Sequence, residues 1–234
     1  SYNVYIKGGR FADYTRVDSE LIRDYGTYGR VDIPGLAQGV YAIRVVPVSS
    51  GAEDASSASD VTDITVKPFD RSGFAFHNFS GVGAYKDNGE LKDEARVLYV
   101  TAATAKTCKL NVRQKSNDTT GTEFTGLQAI ITAYQKGYET RPLDVRIIGT
   151  IRDTDMDKLG SSAEGLQIKG KNNTSPMNIT VEGIGDDAAI WGFGILVRAC
   201  NSVELSNFAV MLCMDDCISL DTDNYHCWIH HLDV

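Results

Sequence analysis

The sequence predicts a mainly β protein, a small β-sandwich followed by the stacked coils of a parallel β-helix. Residues 2–67 alternate apolar and polar positions between glycine-bearing turns, the mark of half-buried antiparallel strands. The last third repeats: Ile179, Val181 and Ile184 recur as Val203, Leu205 and Phe208 and again as Cys227, Ile229 and Leu232, each set 24 positions after the one before. Helical spacing is confined to one short segment. Strands recurring at a fixed period stack their inward residues coil on coil, which is what a β-helix requires.

In the first region, Tyr2-Val4-Ile6 share one register, then Val31-Ile33, then Tyr41-Ile43-Val45, and Val61 to Val66 completes the set. Ser49 to Asp63, rich in Ser, Ala, Asp and Gly, reads as an exposed loop with an edge strand. Residues 1–67 are assigned to the sandwich and 68–234 to the coils, with the boundary near Lys67-Pro68-Phe69-Asp70. Beyond it Gly81 to Gly89 is a turn-rich entry, and Ala95 to Val100 and Cys108 to Val112 read as strands.

Leu127, Ile130, Ile131 and Tyr134 fall at three- and four-residue intervals, predicting an amphipathic helix with Thr125 as N-cap and Gly137 as C-cap, placed to close one end of the core. Asp144-Val145-Arg146-Ile147 begins the first coil, and Asp153 to Ser162 is a loop before Gly165-Leu166-Gln167-Ile168. A second short strand lies in each later coil, Gly194 to Val197 and then Cys217 to Leu220, offset by 23 positions. Leucine-rich repeats have a similar period, but they need leucine at fixed offsets and an asparagine ladder, and the inward residues here are mixed Ile, Val, Phe and Cys.

Net charge is −8 with no lysine or arginine stripe, so the long-range field repels nucleic acid and anionic membranes. No apolar stretch approaches the ~20 residues of a membrane span. An acidic chain still binds a polyanionic sugar where a divalent cation or a local basic cluster reverses the field. The five cysteines, Cys108, Cys200, Cys213, Cys217 and Cys227, form no CxxC pair and read as buried small apolar residues, with a disulfide or metal site as the alternative. Ser1 to Tyr5 reads as the middle of a strand and Trp228 to Val234 stops inside another, so both ends are expected to lack partners.

Leu36 and Gly39, followed by Tyr41 to Val48, resemble the penultimate-strand region of fibronectin type III domains, which implies a partial sandwich of that type with a structural role. Asn178 to Ala188, Gly192 to Ile195 and Asn201 to Phe208 resemble the first complete coils of pectate and pectin lyases, and residues 69–234 as a whole are similar to the opening of their right-handed parallel β-helix, with Thr125 to Gly137 as its capping helix. Asp216-Cys217-Ile218-Ser219-Leu220-Asp221, with Tyr225 to His231 behind it, is similar to the segment where these enzymes hold their first calcium aspartate ahead of a Trp-Ile-Asp-His signature. The signature departs here, reading Trp228-Ile229-His230-His231.

The resemblance implies a secreted or cell-surface polysaccharide lyase, extracellular or periplasmic, monomeric, that cleaves polygalacturonate or pectin by calcium-assisted β-elimination. Asp216 is then a Ca²⁺ ligand and Asp215 a second, with Asp221 and Asp223 as local acidic candidates lacking a family counterpart. Such a lyase needs Ca²⁺ because removing the proton at carbon five builds a carbanion that the neighbouring uronate carboxylate must stabilise, and a cation with six to eight oxygen ligands withdraws that charge. The family's base is an arginine, expected beyond Val234 with the remaining ligands, so residues 1–234 alone are expected to be inactive.

Other assignments of the same residues compete. Asp221-Thr222-Asp223-Asn224 reads as a plain loop and Asp186-Asp187 as a solvated turn, whereas adjacent carboxylates at Asp215-Asp216 repel unless a cation or donors compensate. His226, His230 and His231 have the composition of a zinc cluster, but strand alternation sends His230 and His231 to opposite faces, so no shared metal is expected. Trp191 and Trp228 are packing or sugar-stacking residues. Asp215-Asp216-Cys217-Ile218 also resembles the paired aspartates of polygalacturonases, which hydrolyse the same polymer on the same fold but need an Asn-Thr-Asp segment where this chain has Asn201-Ser202-Val203. A non-catalytic carbohydrate-binding β-helix is the third reading.

Overall fold

A computed structural model describes residues 1–160, 165–172 and 174–234. The protein is mainly β, with several sheets. It divides into two compact units, Ser1–Arg71 with Asp87–Glu90, and Ser72–Lys86 with Leu91–Val234.

In the first unit the strands are β1 (Tyr2–Gly8), β2 (Phe11–Arg16), β3 (Ile22–Asp24), β4 (Gly29–Val31), β5 (Gly39–Ser49), β6 (Ala52–Glu53) and β7 (Ser59–Val66). The long β5 is central, antiparallel to β1 along one edge and to β7 and β6 along the other, and β2 extends the sheet from β1. Val4, Ile6, Val17, Leu21, Tyr41 and Val46 are its buried core. The Tyr41 hydroxyl donates to the Ala37 carbonyl at 2.9 Å, tying β5 to the bend that precedes it. Gly8 sits against this tyrosine with φ +121, and a Cβ there would lie 2.5 Å from the Val40 carbonyl oxygen. Ile33, expected in one strand with Val31, lies outside it: β4 stops at Val31, and Pro34 offers no N–H to continue a ladder.

In the second unit the strands are β8 (Arg96–Val100), β9 (Lys109–Val112), β10 (Thr122–Thr125), β11 (Leu143–Arg152), β12 (Leu166–Lys169), β13 (Ile179–Trp191), β14 (Ile195–Arg198), β15 (Asn201–Ser206), β16 (Ala209–Met211), β17 (Ile218–Asp221) and β18 (Tyr225–His230), with one α-helix, α1 (Leu127–Tyr134), between β10 and β11. Strands β8, β11, β13, β15 and β18 pair in that order, all parallel, and β16 pairs with the far part of β13. A second parallel sheet has the order β12-β14-β17. The antiparallel hairpin β9-β10 stands apart.

The 24-residue period is the spacing between paired strands. Ile179 faces Val203 and Val203 faces Cys227; the neighbouring column runs Leu98, Val145, Val181, Leu205, Ile229. Backbone bends repeat with the same period. Asn178, Ser202 and His226 all have left-handed φ (53, 63 and 50), as do Asn207 and His231 (61 and 50), so the chain turns its corners at equivalent places. At the Gly183 position of this second row a Cβ would meet the Asn207 carbonyl oxygen at 2.0 Å. Gly183→Ala therefore forces adjacent strands apart and should lower stability by about 3 kcal/mol in denaturant unfolding, while Gly29→Ala, whose Cβ would come no nearer than 3.8 Å to the Arg23 carbonyl oxygen, meets no such clash.

Helix α1 follows its apolar spacing, burying Leu127, Ile130, Ile131 and Tyr134. Its caps differ from the sequence expectation. Gly126 is the N-cap, and Asp157 supplies the missing acceptor through its carboxylate to the backbone N–H groups of Gln128 (3.2 Å) and Ala129 (3.4 Å). Thr125 instead completes β10, the C-cap is Gln135, and Gly137 follows with φ +72. In the expected loop, Asp153–Asp155 form a short 3-10 turn, and Ser161 and Ser162 lie outside the described residues.

Candidate functional site

The turn between β16 and β17 carries the acidic pair. It rests on the turn between β13 and β14: the Gly192 N–H donates to the Met211 carbonyl and the Ile195 N–H to the Cys217 carbonyl, both at 2.9 Å. Cys213 and Cys217 form a disulfide that closes the turn around Met214-Asp215-Asp216, correcting the expectation that these two are buried thiols. Cys108, Cys200 and Cys227 are free, and burial pushes their thiols up to about 11, 12 and 11; Cys200 is buried as expected, whereas Cys108 and Cys227 are only partly buried against the core. Asp215 and Asp216 are both exposed, and neither has a hydrogen bond or ion pair among the described residues.

Two unpartnered carboxylates side by side present oxygen donors and mutual repulsion that a cation relieves, so their chemistry fits Ca²⁺. They offer at most about four oxygens of the six to eight Ca²⁺ takes. No group of three or more His, Cys, Asp or Glu that could hold a metal is found among the described residues, so an ion here would complete its shell with water and a bound carboxylate. Asp221 is engaged elsewhere, paired with Arg198 at 3.3 Å. Asp223, with φ 45, is an exposed bend residue, and Asn224 bonds the Cys200 N–H and the Val197 carbonyl at 3.0 Å each, so residues 222–224 form the structural loop of the plainer reading while Asp221 ends β17.

At the far end of the strand that this turn opens, the outward side of the second sheet carries a column of which only Asp221 was singled out in the sequence. Lys169 faces Arg198 and Arg198 faces Asp221 across the three parallel strands. The Arg198–Asp221 pair is about half exposed on both sides (48% and 47%), so it contributes less than ~1 kcal/mol and opens easily to a competing anion. The row sets two cations, Lys169 and Arg198, side by side with Asp221 at the last positions of their strands, while the Asp215-Asp216 turn precedes the first residue of β17. The 23-residue offset between β14 and β17 was the available signal, since it puts Arg198 and Asp221 in register.

The outward side of the first sheet is different, because residues 81–85 cover it. Lys92 Nζ donates to the carbonyls of Gly81 (2.6 Å) and Gly83 (2.8 Å) and to Asn178 Oδ1 (2.7 Å), while the N–H groups of Gly83 and Ala84 reach Ser202 Oγ (3.0 Å) and Thr180 Oγ1 (2.8 Å). Beneath this cover, Arg146 Nε lies 2.8 Å from Asp144 Oδ2 and 3.2 Å from Glu182 Oε1, and the Tyr85 hydroxyl donates to Glu182 Oε1 at 2.6 Å. Burial pushes both carboxyls above their ordinary range, and Arg146 only partly offsets this; for Glu182 the charge of Asp144 adds to the rise. Burial would lower the Arg146 pKa, but Asp144 and Glu182 override it and hold the guanidinium firmly protonated. One cation between two buried carboxylates, with Asp144 Oδ1 unpartnered, is a closed proton-holding cluster that locks the cover in place. Isolated Asp, Arg and Glu in alternating strands gave no hint of it.

On β18 the expected separation of His230 and His231 does not hold: their Nδ1 atoms lie 2.7 Å apart. The left-handed φ of His231 breaks the strand alternation and turns its ring back toward its neighbour. Trp228 stacks on His230 with ring centroids 3.7 Å apart and takes the edge of Phe76 at 5.1 Å, a packing role. Trp191 is exposed, with the Arg152 guanidinium 5.3 Å over its ring.

No known protein family, curated protein or solved structure matches this chain. No helix among the described residues is long and apolar enough to cross a membrane.

Proposed function

We propose that this chain belongs to a calcium-dependent pectate lyase, a right-handed parallel β-helix preceded by a fibronectin type III-like sandwich, and that it binds polygalacturonate through Ca²⁺ at Asp216 and Asp215. The observation that carries this reading is the unpartnered Asp215-Asp216 turn heading the same sheet whose outward column is Lys169, Arg198 and Asp221. Ca²⁺ held there would accept a uronate carboxylate while Lys169 and Arg198 meet the carboxylates of neighbouring sugars. When bound, the ion supplies the charge withdrawal that makes β-elimination possible. The Cys213–Cys217 disulfide supports a secreted or periplasmic setting, where such bonds persist.

Binding rather than turnover tests the site. Calorimetric titration of oligogalacturonate should give uptake that requires Ca²⁺ and weakens at least ~10-fold in Asp216→Asn, because the charge that anchors a calcium ion is lost while the side-chain shape remains. Binding that persists with chelator, or is unchanged in Asp216→Asn, refutes the assignment. Lys169→Ala with Arg198→Ala should weaken the same binding and leave calcium uptake without sugar unaltered.

A further inference from the structure

We infer that His230 and His231 form a second metal site, specific for a divalent transition ion such as Zn²⁺, Ni²⁺ or Cu²⁺ and independent of the calcium reading. The two Nδ1 atoms converge at 2.7 Å on the outward side of β18. On the other side of the His230 ring, Nε2 lies 3.2 Å from Glu204 Oε1, whose carboxylate is almost wholly buried (4% exposed). Glu204 is in turn fixed by the Thr180 hydroxyl, which donates to its Oε2 at 3.1 Å. A carboxylate against Nε2 holds the proton on that nitrogen and leaves Nδ1 as the lone-pair atom, the carboxylate–histidine–metal arrangement that orients metal-ligating imidazoles.

The rings are also held. Trp228 stacks on His230 with an interplanar angle of 27°, and the His231 carbonyl accepts the Asn207 N–H at 2.9 Å, which keeps the left-handed bend that aims the second imidazole. At metal–nitrogen distances near 2.0–2.1 Å, two nitrogens on a tetrahedral ion stand about 3.3 Å apart, so a modest outward swing of the exposed His231 ring admits the ion in place of the proton now shared between the nitrogens. No third protein ligand of the His, Cys, Asp or Glu type completes a cage among the described residues, which leaves the remaining positions to water or an incoming donor. Imidazole pairs favour the later first-row ions over Ca²⁺, which prefers oxygen.

The chain has two tryptophans, so Trp191→Phe leaves Trp228 as the sole indole, stacked on a ligand ring. Titrating chelator-stripped Trp191→Phe protein with Cu²⁺ should quench that fluorescence in a saturable one-site curve, and calorimetry with Zn²⁺ should show one ion per chain. His231→Asn suits the left-handed bend, as Asn207 shows one coil earlier, and should weaken both signals at least ~10-fold; Glu204→Gln should weaken them about 10-fold through the orienting contact. Asp216→Asn should leave them unchanged, which separates this site from the calcium reading. Absence of saturable quenching, or Zn²⁺ affinity that survives His231→Asn, shows that the contact is an ordinary hydrogen bond and overturns the inference.

Discussion

Replacing Arg146 with Met should lower the stability of the second unit by about 3–5 kcal/mol near pH 7, as expected when a buried ion cluster loses its one cation and leaves like charges behind. Arg146 is 4% exposed and stands between Asp144, with no exposure, and Glu182, 13% exposed. Without it, Asp144 and Glu182 must either ionise against each other inside the protein or take up protons. The loss should therefore shrink when the urea unfolding midpoint is measured again near pH 5, because protonation removes the unpaired charge.

The wild-type protein has its own pH dependence from the same cluster. Both carboxyls have folded-state pKa values raised by burial, so the folded state holds protons that the unfolded chain has released. Their contribution is fully present below the ordinary carboxylate range, near about pH 4, and is lost as pH rises through the folded-state values. Glu182→Gln, which keeps the hydrogen-bonding shape and removes one charge, should be near neutral or stabilising at neutral pH. If Arg146→Met and Glu182→Gln destabilise equally and without regard to pH, the cluster is not a proton-holding lock.

Leu205→Ala should cost about 2.7–5 kcal/mol, the range for emptying a fully enclosed leucine position. Leu205 has no exposure and lies between Val181 of β13 and Ile229 of β18, so the space it leaves is walled on both sides. Ile229→Ala, in the same column but only half-buried and at the edge strand, should cost markedly less. Chemical denaturation of the two variants side by side measures this gradient. Equal losses would mean that the columns do not transmit burial from strand to strand as their register implies.

Local pattern determined the strands and their stacking, because a 24-residue period of alternating apolar residues has few ways to bury itself other than in register. Ile179, Val203 and Cys227 form one column for that reason, and the apolar spacing of α1 likewise placed the helix. Exposed Asp215 and Asp216 were legible as an unusual pair because their repulsion is a property of adjacent residues. What depended on distant partners was not legible. The α1 cap came from Asp157, the Cys213–Cys217 bond from a turn that brings the two together, and the Lys169–Arg198–Asp221 column from the pairing of three strands. The buried Asp144–Arg146–Glu182 cluster and the meeting of His230 with His231 follow from a covering segment far away in sequence and from one left-handed bend. Periodicity reports which side of a strand a residue occupies; whether that side is covered, and by which charges, is decided only when the stacked strands and the segment over them come together.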